Sequence, residues 1–367
     1  MKNIINLKNI QIGKFHLLLF TLLACSFLSI IFLNLKYSPK ITTNESFEIT
    51  NYRPNKQFDE RIMKFYILNN IEANSFVFGT STSTVLDPEL IKNYSNSSTN
   101  SLNLSFSGGL LREYSQFLNW IFKNKSDLET IIVELKYYSL SEVDFGGEMP
   151  FELLKKNKKL INLISLDTTK KTILSLSREI FKPKKDKTNF NNIEKKYFLK
   201  GMRYYPQFFE RKNNSDLREK HKKLIKNSRK VIFGSKILNN NYTLLDELVE
   251  NSEKRKINLI FYFGPAYIDL LKFEKYKYLN RELKLIKNIL EKTKVQNIYY
   301  FNTFSDLNYD DSYYETNHTH YDYDAGKIIL KNLLNKDYKK NNKFSYNFTK
   351  ENYKDLSLKI KSNYEQF

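Results

Sequence analysis

Ser81 closes the sequence Phe78-Gly79-Thr80-Ser81, where a short apolar run reaches a glycine and gives way to hydroxyl-bearing residues. A serine hydroxyl is a weak nucleophile until a base removes its proton; it can then attack an ester or acyl-donor carbonyl and carry the acyl group. Backbone N–H groups of the turn that presents such a serine can face the developing oxyanion. The base must come from the four histidines of the chain. His16 lies in an apolar stretch and His221 in a lysine-rich one, whereas His318 and His320 stand together in a polar segment late in the chain. Those two are the candidates to activate Ser81. A plainer reading exists for each residue: Thr80, Ser81, Thr82, Ser83 and Thr84 can all cap a turn, and Gly108 and Gly109 suit a tight one. His318 and His320 supply only two of the three or four ligands of a zinc site, with no further histidine or cysteine nearby. Neither a metal nor another cofactor is expected.

For Ser81 to meet a late histidine, both must lie on one edge of one sheet. Buried-strand signals run over Ser75–Gly79, Leu102–Phe106, Thr130–Leu135, Ile257–Phe263 and about Asn297–Phe301. Between them, Leu110–Phe122 gathers Leu111, Tyr114, Phe117, Leu118, Trp120 and Ile121 towards one side of a helix. Asp87 and Pro88 suit the cap and first position of another. Further helices are expected over Leu244–Lys254, about Ile268–Glu291, and from near Ala325. Such alternation predicts a mainly parallel five-stranded sheet covered by helices on both faces. In such a sheet ligands bind beyond the carboxyl ends of the strands, where Ser81 and the His318/His320 loop both fall. The lysine-rich stretch of about 141–240 lacks a good buried strand and reads as a helical insertion.

The run Phe15–Leu33 carries no charge, and Lys2, Lys8 and Lys14 precede it. About 20 apolar residues span a bilayer core of about 30 Å, and the basic leader favours a cytoplasmic N-terminus. The expected layout is a leader over 1–14, a transmembrane anchor over 15–35, a stalk over 36–61, a domain over 62–335 and a charged tail over 336–367. The main domain is then extracytoplasmic on a single-pass membrane anchor. A cleaved signal peptide is the rival, but no small-x-small site follows Leu33. Leu22-Leu23-Ala24-Cys25 resembles a lipoprotein site, yet the apolar run continues beyond it. With Cys25 the single cysteine, an intramolecular disulfide is excluded. The net charge of +20 comes with no nucleic-acid-binding motif, so nucleic acid is not an expected partner.

Phe78-Gly79-Thr80-Ser81, Asn103-Leu104-Ser105-Phe106-Ser107-Gly108-Gly109, Val133-Glu134-Leu135-Lys136-Tyr137-Tyr138 and Glu315-Thr316-Asn317-His318-Thr319-His320-Tyr321 fall in the order seen in SGNH/GDSL-type hydrolases. The set most resembles the membrane-anchored branch that includes the D-alanyl transfer protein of teichoic acid synthesis and the alginate O-acetylation proteins. The resemblance covers about 74–138 and 257–334. It implies an αβα sandwich with Ser81 as nucleophile. Its N–H, with one from Gly108 or Gly109, would form the oxyanion hole, and Asn103 lies in the same block. The family's Asp-x-x-His is represented by Glu315-x-x-His318, the preferred pairing, with His320-Tyr321 and Asn317 in the acid's place as the alternative. Lys136 stands where this branch often has an acidic residue. The implied activity is that of a serine-dependent acyltransferase or esterase acting on a cell-surface glycan or related envelope polymer. A polytopic membrane acyltransferase would be its partner in transfer. The alternative is a non-catalytic envelope scaffold or polymer-binding protein that keeps the fold.

Overall fold

The structure, a computed structural model, describes residues 16–32, 60–95, 100–142, 236–272, 277–314, 320–335 and 343–365, with 169, 170, 173 and 202. The chain forms two units, Met1–Met63 with Glu152–Asn191, and Lys64–Phe151 with Asn192–Phe367.

In the first unit the apolar run forms helix α1 over 16–32. Its Leu17, Leu18, Phe20, Leu23, Leu28 and Phe32 side chains are exposed. Seventeen residues rise only about 26 Å, and no helix among the described residues is long and apolar enough to cross a membrane. The leader over 1–14 and the stretch 33–59, with the end of the expected anchor and most of the stalk, lie outside the described residues.

The second unit is built in the order α2 (Glu60–Asn70, which begins in the first unit), β1 (Ser75–Phe78), α3 (Pro88–Ser95), β2 (Ser101–Asn103), α4 (Leu111–Asn124), β3 (Thr130–Glu134), α5 (Asn240–Lys254) and β4 (Asn258–Phe263). There follow α6 (Ile268–Leu271), α7 (Lys277–Lys292), β5 (Ile298–Tyr300), α8 (Asp306–Tyr309), α9 (Tyr323–Leu334), β6 (Tyr346–Phe348) and α10 (Tyr353–Glu365). The protein is therefore α/β, with a mostly parallel sheet of order β2-β1-β3-β4-β5-β6. The sheet has six strands rather than the expected five: β6 adds antiparallel to β5 from what reads in the sequence as a charged tail.

Strands β1 and β3 bury every residue, as continuous apolar runs do in a sheet covered on both sides. Val77, Ile132 and Ile260 lie side by side in register and share one cluster with Ile91 of α3 and Ile329 and Leu330 of α9. Because side chains alternate across a sheet, Phe78 points to the opposite face. There its ring meets Tyr114 and Phe117 of α4. Glu113, buried in the first turn of α4, reaches back to the Leu110 N–H at 3.1 Å and satisfies one of the free donors there.

The expected insertion of about 141–240 falls almost wholly outside the described residues. Its two ends are visible and meet. Ser141 bridges Ile237, and the Glu142 and Leu238 N–H groups bond to the Lys236 and Leu140 carbonyls.

Candidate active site

The strand order doubles back between β1 and β3, since β2 lies outside β1 and the chain then crosses to β3. At such a switch point the loops leaving the two central strands diverge and open a crevice. Ser81 follows β1 there, and Glu134 ends β3 beside it.

Five hydroxyl residues in succession, Thr80 to Thr84, form the turn after β1. Four of them are buried and engaged elsewhere. Thr80 Oγ1, Thr82 Oγ1 and Ser83 Oγ donate to the Glu134 carboxylate at 2.9, 2.8 and 2.5 Å, and the Thr80 N–H joins them at 3.2 Å. Thr84 Oγ1 donates to the Ser81 carbonyl at 2.6 Å. Ser81 alone of the five is partly exposed, and its Oγ lies 2.8 Å from His320 Nε2. Which atom carries the proton depends on the tautomer; with Nε2 unprotonated, the serine O–H donates to the imidazole.

His320 owes its place to the start of α9. Tyr321 bridges Tyr314 antiparallel, the Asp322 N–H bonds to the Tyr313 carbonyl at 2.8 Å, and Asp322 caps the helix through the Ala325 N–H at 3.0 Å. Tyr323 then donates to Asp87 at 2.8 Å, and Asp87 in turn accepts from the Glu89 N–H at the start of α3. Of the two histidines predicted as base, His320 is the one brought to Ser81. Glu315, Asn317 and His318 lie outside the described residues.

The glycine pair and Asn103 part company. The Gly109 N–H is engaged by the Phe106 carbonyl at 3.1 Å. Gly108 takes φ 64°, a left-handed conformation that glycine adopts without strain, and its N–H has no hydrogen-bond partner among the described residues. The Phe106 N–H donates to the Gly79 carbonyl at 3.1 Å. Ser81 and Gly108 therefore each stand two residues beyond the last rung joining their strands. Asn103, expected near the oxyanion, has both amide protons engaged by the Ser83 and Leu86 carbonyls at 2.7 and 2.9 Å, while its Oδ1 accepts from the Ser105 N–H. That leaves it no proton for an oxyanion; it braces the turn instead. Lys64, 2% exposed, donates to the Asn103 carbonyl at 2.7 Å and fixes that residue from behind.

Glu134, to which the sequence reading gave no role, is fully buried. An unpaired carboxylate there would carry a large desolvation cost; the donors of the Ser81 turn offset it, and Lys136 Nζ stands 3.7 Å from Oε1. Lys136 thus supplies counter-charge to the buried carboxylate. Two buried phenols complete the surroundings. The Tyr262 and Tyr321 hydroxyls lie 3.2 Å apart. Burial first, and then the neighbouring phenol and Glu134 charge for Tyr321 or the Glu134 charge for Tyr262, pushes both well above the ordinary tyrosine value, so they remain protonated. The sequence does carry one sign of this arrangement: a glutamate inside an otherwise apolar buried strand requires partners.

A second buried carboxylate holds the neighbouring loop. Glu282 of α7 accepts from Tyr300 Oη at 3.0 Å and Asn302 Nδ2 at 2.8 Å. Asn302 Oδ1 accepts from the Ala266 N–H at 2.7 Å, and Asn308 Nδ2 donates to the Ala266 carbonyl at 3.0 Å. The loop Gly264-Pro265-Ala266 after β4 is thereby pinned at both its N–H and its carbonyl. Burial raises the Glu282 carboxyl above its ordinary value.

Among the described residues no group of three or more His, Cys, Asp or Glu side chains could hold a metal ion. Comparison with known protein families and with curated protein sequences finds no match to this chain.

Proposed function

We propose that the protein is a serine-dependent acyltransferase or esterase of the SGNH type, acting on a cell-surface glycan or related envelope polymer. The single observation that carries this reading is the 2.8 Å approach of Ser81 Oγ to His320 Nε2, at the switch point of the sheet. In this reading His320 accepts the Ser81 proton as Oγ attacks the acyl carbonyl, and the acyl group passes to the serine. The N–H groups of Ser81 and Gly108 face the oxyanion. His320 then returns the proton to the departing group. A sugar hydroxyl resolves the acyl-serine in transfer, and water does so in hydrolysis. The SGNH assignment and the polymer substrate rest on the ordered motifs of the sequence, and delivery of activated acyl groups would fall to a polytopic membrane partner.

The same proposal places the domain outside the cytoplasmic membrane. What supports it is the sequence: the uncharged run Phe15–Leu33 and the basic leader with Lys2, Lys8 and Lys14 before it.

Covalent labelling tests the chemistry. A fluorophosphonate should modify Ser81 in the full-length, detergent-solubilised protein, with mass spectrometry locating the adduct. No adduct on Ser81 under conditions that label a known serine esterase would leave the non-catalytic scaffold as the reading to adopt.

A further inference from the structure

We infer that Glu134 is a positioning residue for the reaction: it gathers the hydroxyls of the Ser81 turn, packs beside the residue that follows His320, and so sets the separation of the two. This deepens the proposed function and rests on it.

On the serine side, three hydroxyls and one N–H of residues 80–83 converge on the carboxylate, three of these four donors from the immediate neighbours of Ser81. On the histidine side the link runs through Tyr321, the residue after His320. Its hydroxyl lies 3.2 Å from that of Tyr262, and its ring edge and the Glu134 carboxylate crowd the same Gly264. Glu134 and Tyr321 are both fully buried, so the group that gathers the Ser81 turn packs beside the residue that follows His320.

The backbone is shaped to this cluster. A Cβ on Gly79 would stand 2.8 Å from Glu134 Cβ, and one on Gly264 would stand 2.8 Å from Glu134 Oε1 and 3.0 Å from Tyr321 Cε1. Both glycines admit the carboxylate into a space that any side chain would close. As a carboxylate Glu134 only accepts hydrogen bonds, so it turns the protons of Thr80, Thr82 and Ser83 inward. The Ser81 hydroxyl is the one left to face the imidazole.

The test separates rate from binding in the reaction of the full-length protein with a fluorophosphonate. In that reaction Ser81 Oγ bonds to phosphorus, fluoride leaves, and the serine proton passes to His320. The maximal labelling rate and the half-saturating probe concentration are measured for wild type, Glu134→Gln, Tyr321→Phe and the double variant, each corrected to the folded fraction by circular dichroism. Misplacement of a reacting group by about 1 Å costs on the order of 100-fold. Glu134→Gln should therefore lower the maximal rate by about 10- to 100-fold, with the half-saturating concentration changed less than about threefold. Tyr321→Phe should lower it by a smaller factor, and the double variant should be no slower than Glu134→Gln, because the phenol acts through the carboxylate. A purely stabilising residue would shift melting and leave the rate per folded molecule unchanged.

A labelled wild type together with a Glu134→Gln rate equal to it overturns the inference and leaves the proposed function standing. If Glu134→Gln does not fold, a Tyr321→Phe rate equal to wild type overturns it in the same way. A wild type that does not label removes the proposed function, and this inference with it.

Discussion

Gly79→Ala adds one methyl group beneath the Ser81 turn, and the sign of its effect on stability distinguishes a packed carboxylate site from an ordinary strand end. Gly79 has no left-handed backbone, the conformation found among the described glycines at Gly108 alone. At a site with room, Gly→Ala with such a backbone stabilises by about 0.4–1 kcal/mol through the unfolded chain. Here the new Cβ would lie 2.8 Å from both Ser83 Cβ and Glu134 Cβ and would strike Ser83 Oγ. Carbon atoms rest at about 3.5–4.0 Å, and neither Cβ is the movable end of a side chain. Forcing a methyl into such a core costs about 1–3 kcal/mol. Displacing Ser83 also breaks its bond to the Glu134 carboxylate, of a class worth about 1.5–3 kcal/mol. After the chain-entropy gain is subtracted, the net destabilisation is about 2–5 kcal/mol. At about 2–4 °C per kcal/mol for a domain of roughly this size, the midpoint should fall by roughly 4–20 °C. Thermal unfolding of the detergent-solubilised full chain, followed by circular dichroism, reads this directly. A midpoint equal to or above that of wild type would refute the close packing of Gly79 against Ser83 and Glu134.

Further outcomes follow from the same geometry. Ser81→Ala should abolish fluorophosphonate labelling while the melting temperature stays within a few degrees of wild type, since a partly exposed hydroxyl at a turn contributes within about 0.5 kcal/mol. His320→Ala should lower the labelling rate by about 1,000-fold or more, whereas His318→Ala should label as wild type does; equal losses in the two would contradict the pairing of Ser81 with His320. Glu282, raised by burial above the ordinary carboxyl value of 4.5, contributes stability that is fully present below 4.5 and is lost as pH rises through its folded value, because the unfolded chain ionises first. Glu282→Gln should therefore gain on wild type in urea titrations as pH increases from 4.5, and a constant difference would argue against a buried, reluctant acid there. Phe20→Asp with Leu23→Asp adds about 2.5–3.5 kcal/mol of insertion cost per residue and should move the protein out of the alkaline-washed membrane fraction.

Much of the sheet is legible because strands buried on both faces leave an apolar run. Thr130–Glu134 and Asn258–Phe263 fall within a residue of their expected limits. For β2 the expectation of Leu102–Phe106 is displaced to Ser101–Asn103, although the Leu104 and Phe106 N–H groups still bond to the Val77 and Gly79 carbonyls. The sixth strand is hidden for a physical reason: β6 and α10 contribute few buried apolar side chains, chiefly Phe348 and Ile360, in a segment otherwise rich in lysine and asparagine. A pattern of two apolar anchors is too sparse to register as periodicity. At the site, residue type pointed to Ser81 and to the histidine pair, but the choice of His320 depends on the Tyr314–Tyr321 bridge, a contact that spacing does not encode. Asn103 directs its two amide protons to the Ser83 and Leu86 carbonyls, contacts that spacing does not encode.

A run of five hydroxyl residues is on its own a poor setting for a nucleophile. Each hydroxyl both donates and accepts, so Thr80, Thr82 and Ser83 could bond one another and Ser81 in several patterns of similar energy. The 2.8 Å contact between Thr80 and Thr82 shows how close such an alternative lies. A buried carboxylate removes the ambiguity, because it only accepts and its lone pairs have fixed directions. An apolar residue of similar volume at position 134 would avoid the desolvation cost, and such replacements of buried ionic groups are often neutral or stabilising by about 1–4 kcal/mol. It would also release the hydroxyl protons to the patterns that compete for Ser81. Stability alone gives weak grounds for a glutamate at the end of an apolar strand, whereas the ordering of these protons gives a specific one. Lys136 Nζ, 3.7 Å away and partly exposed, offsets part of the charge of the carboxylate.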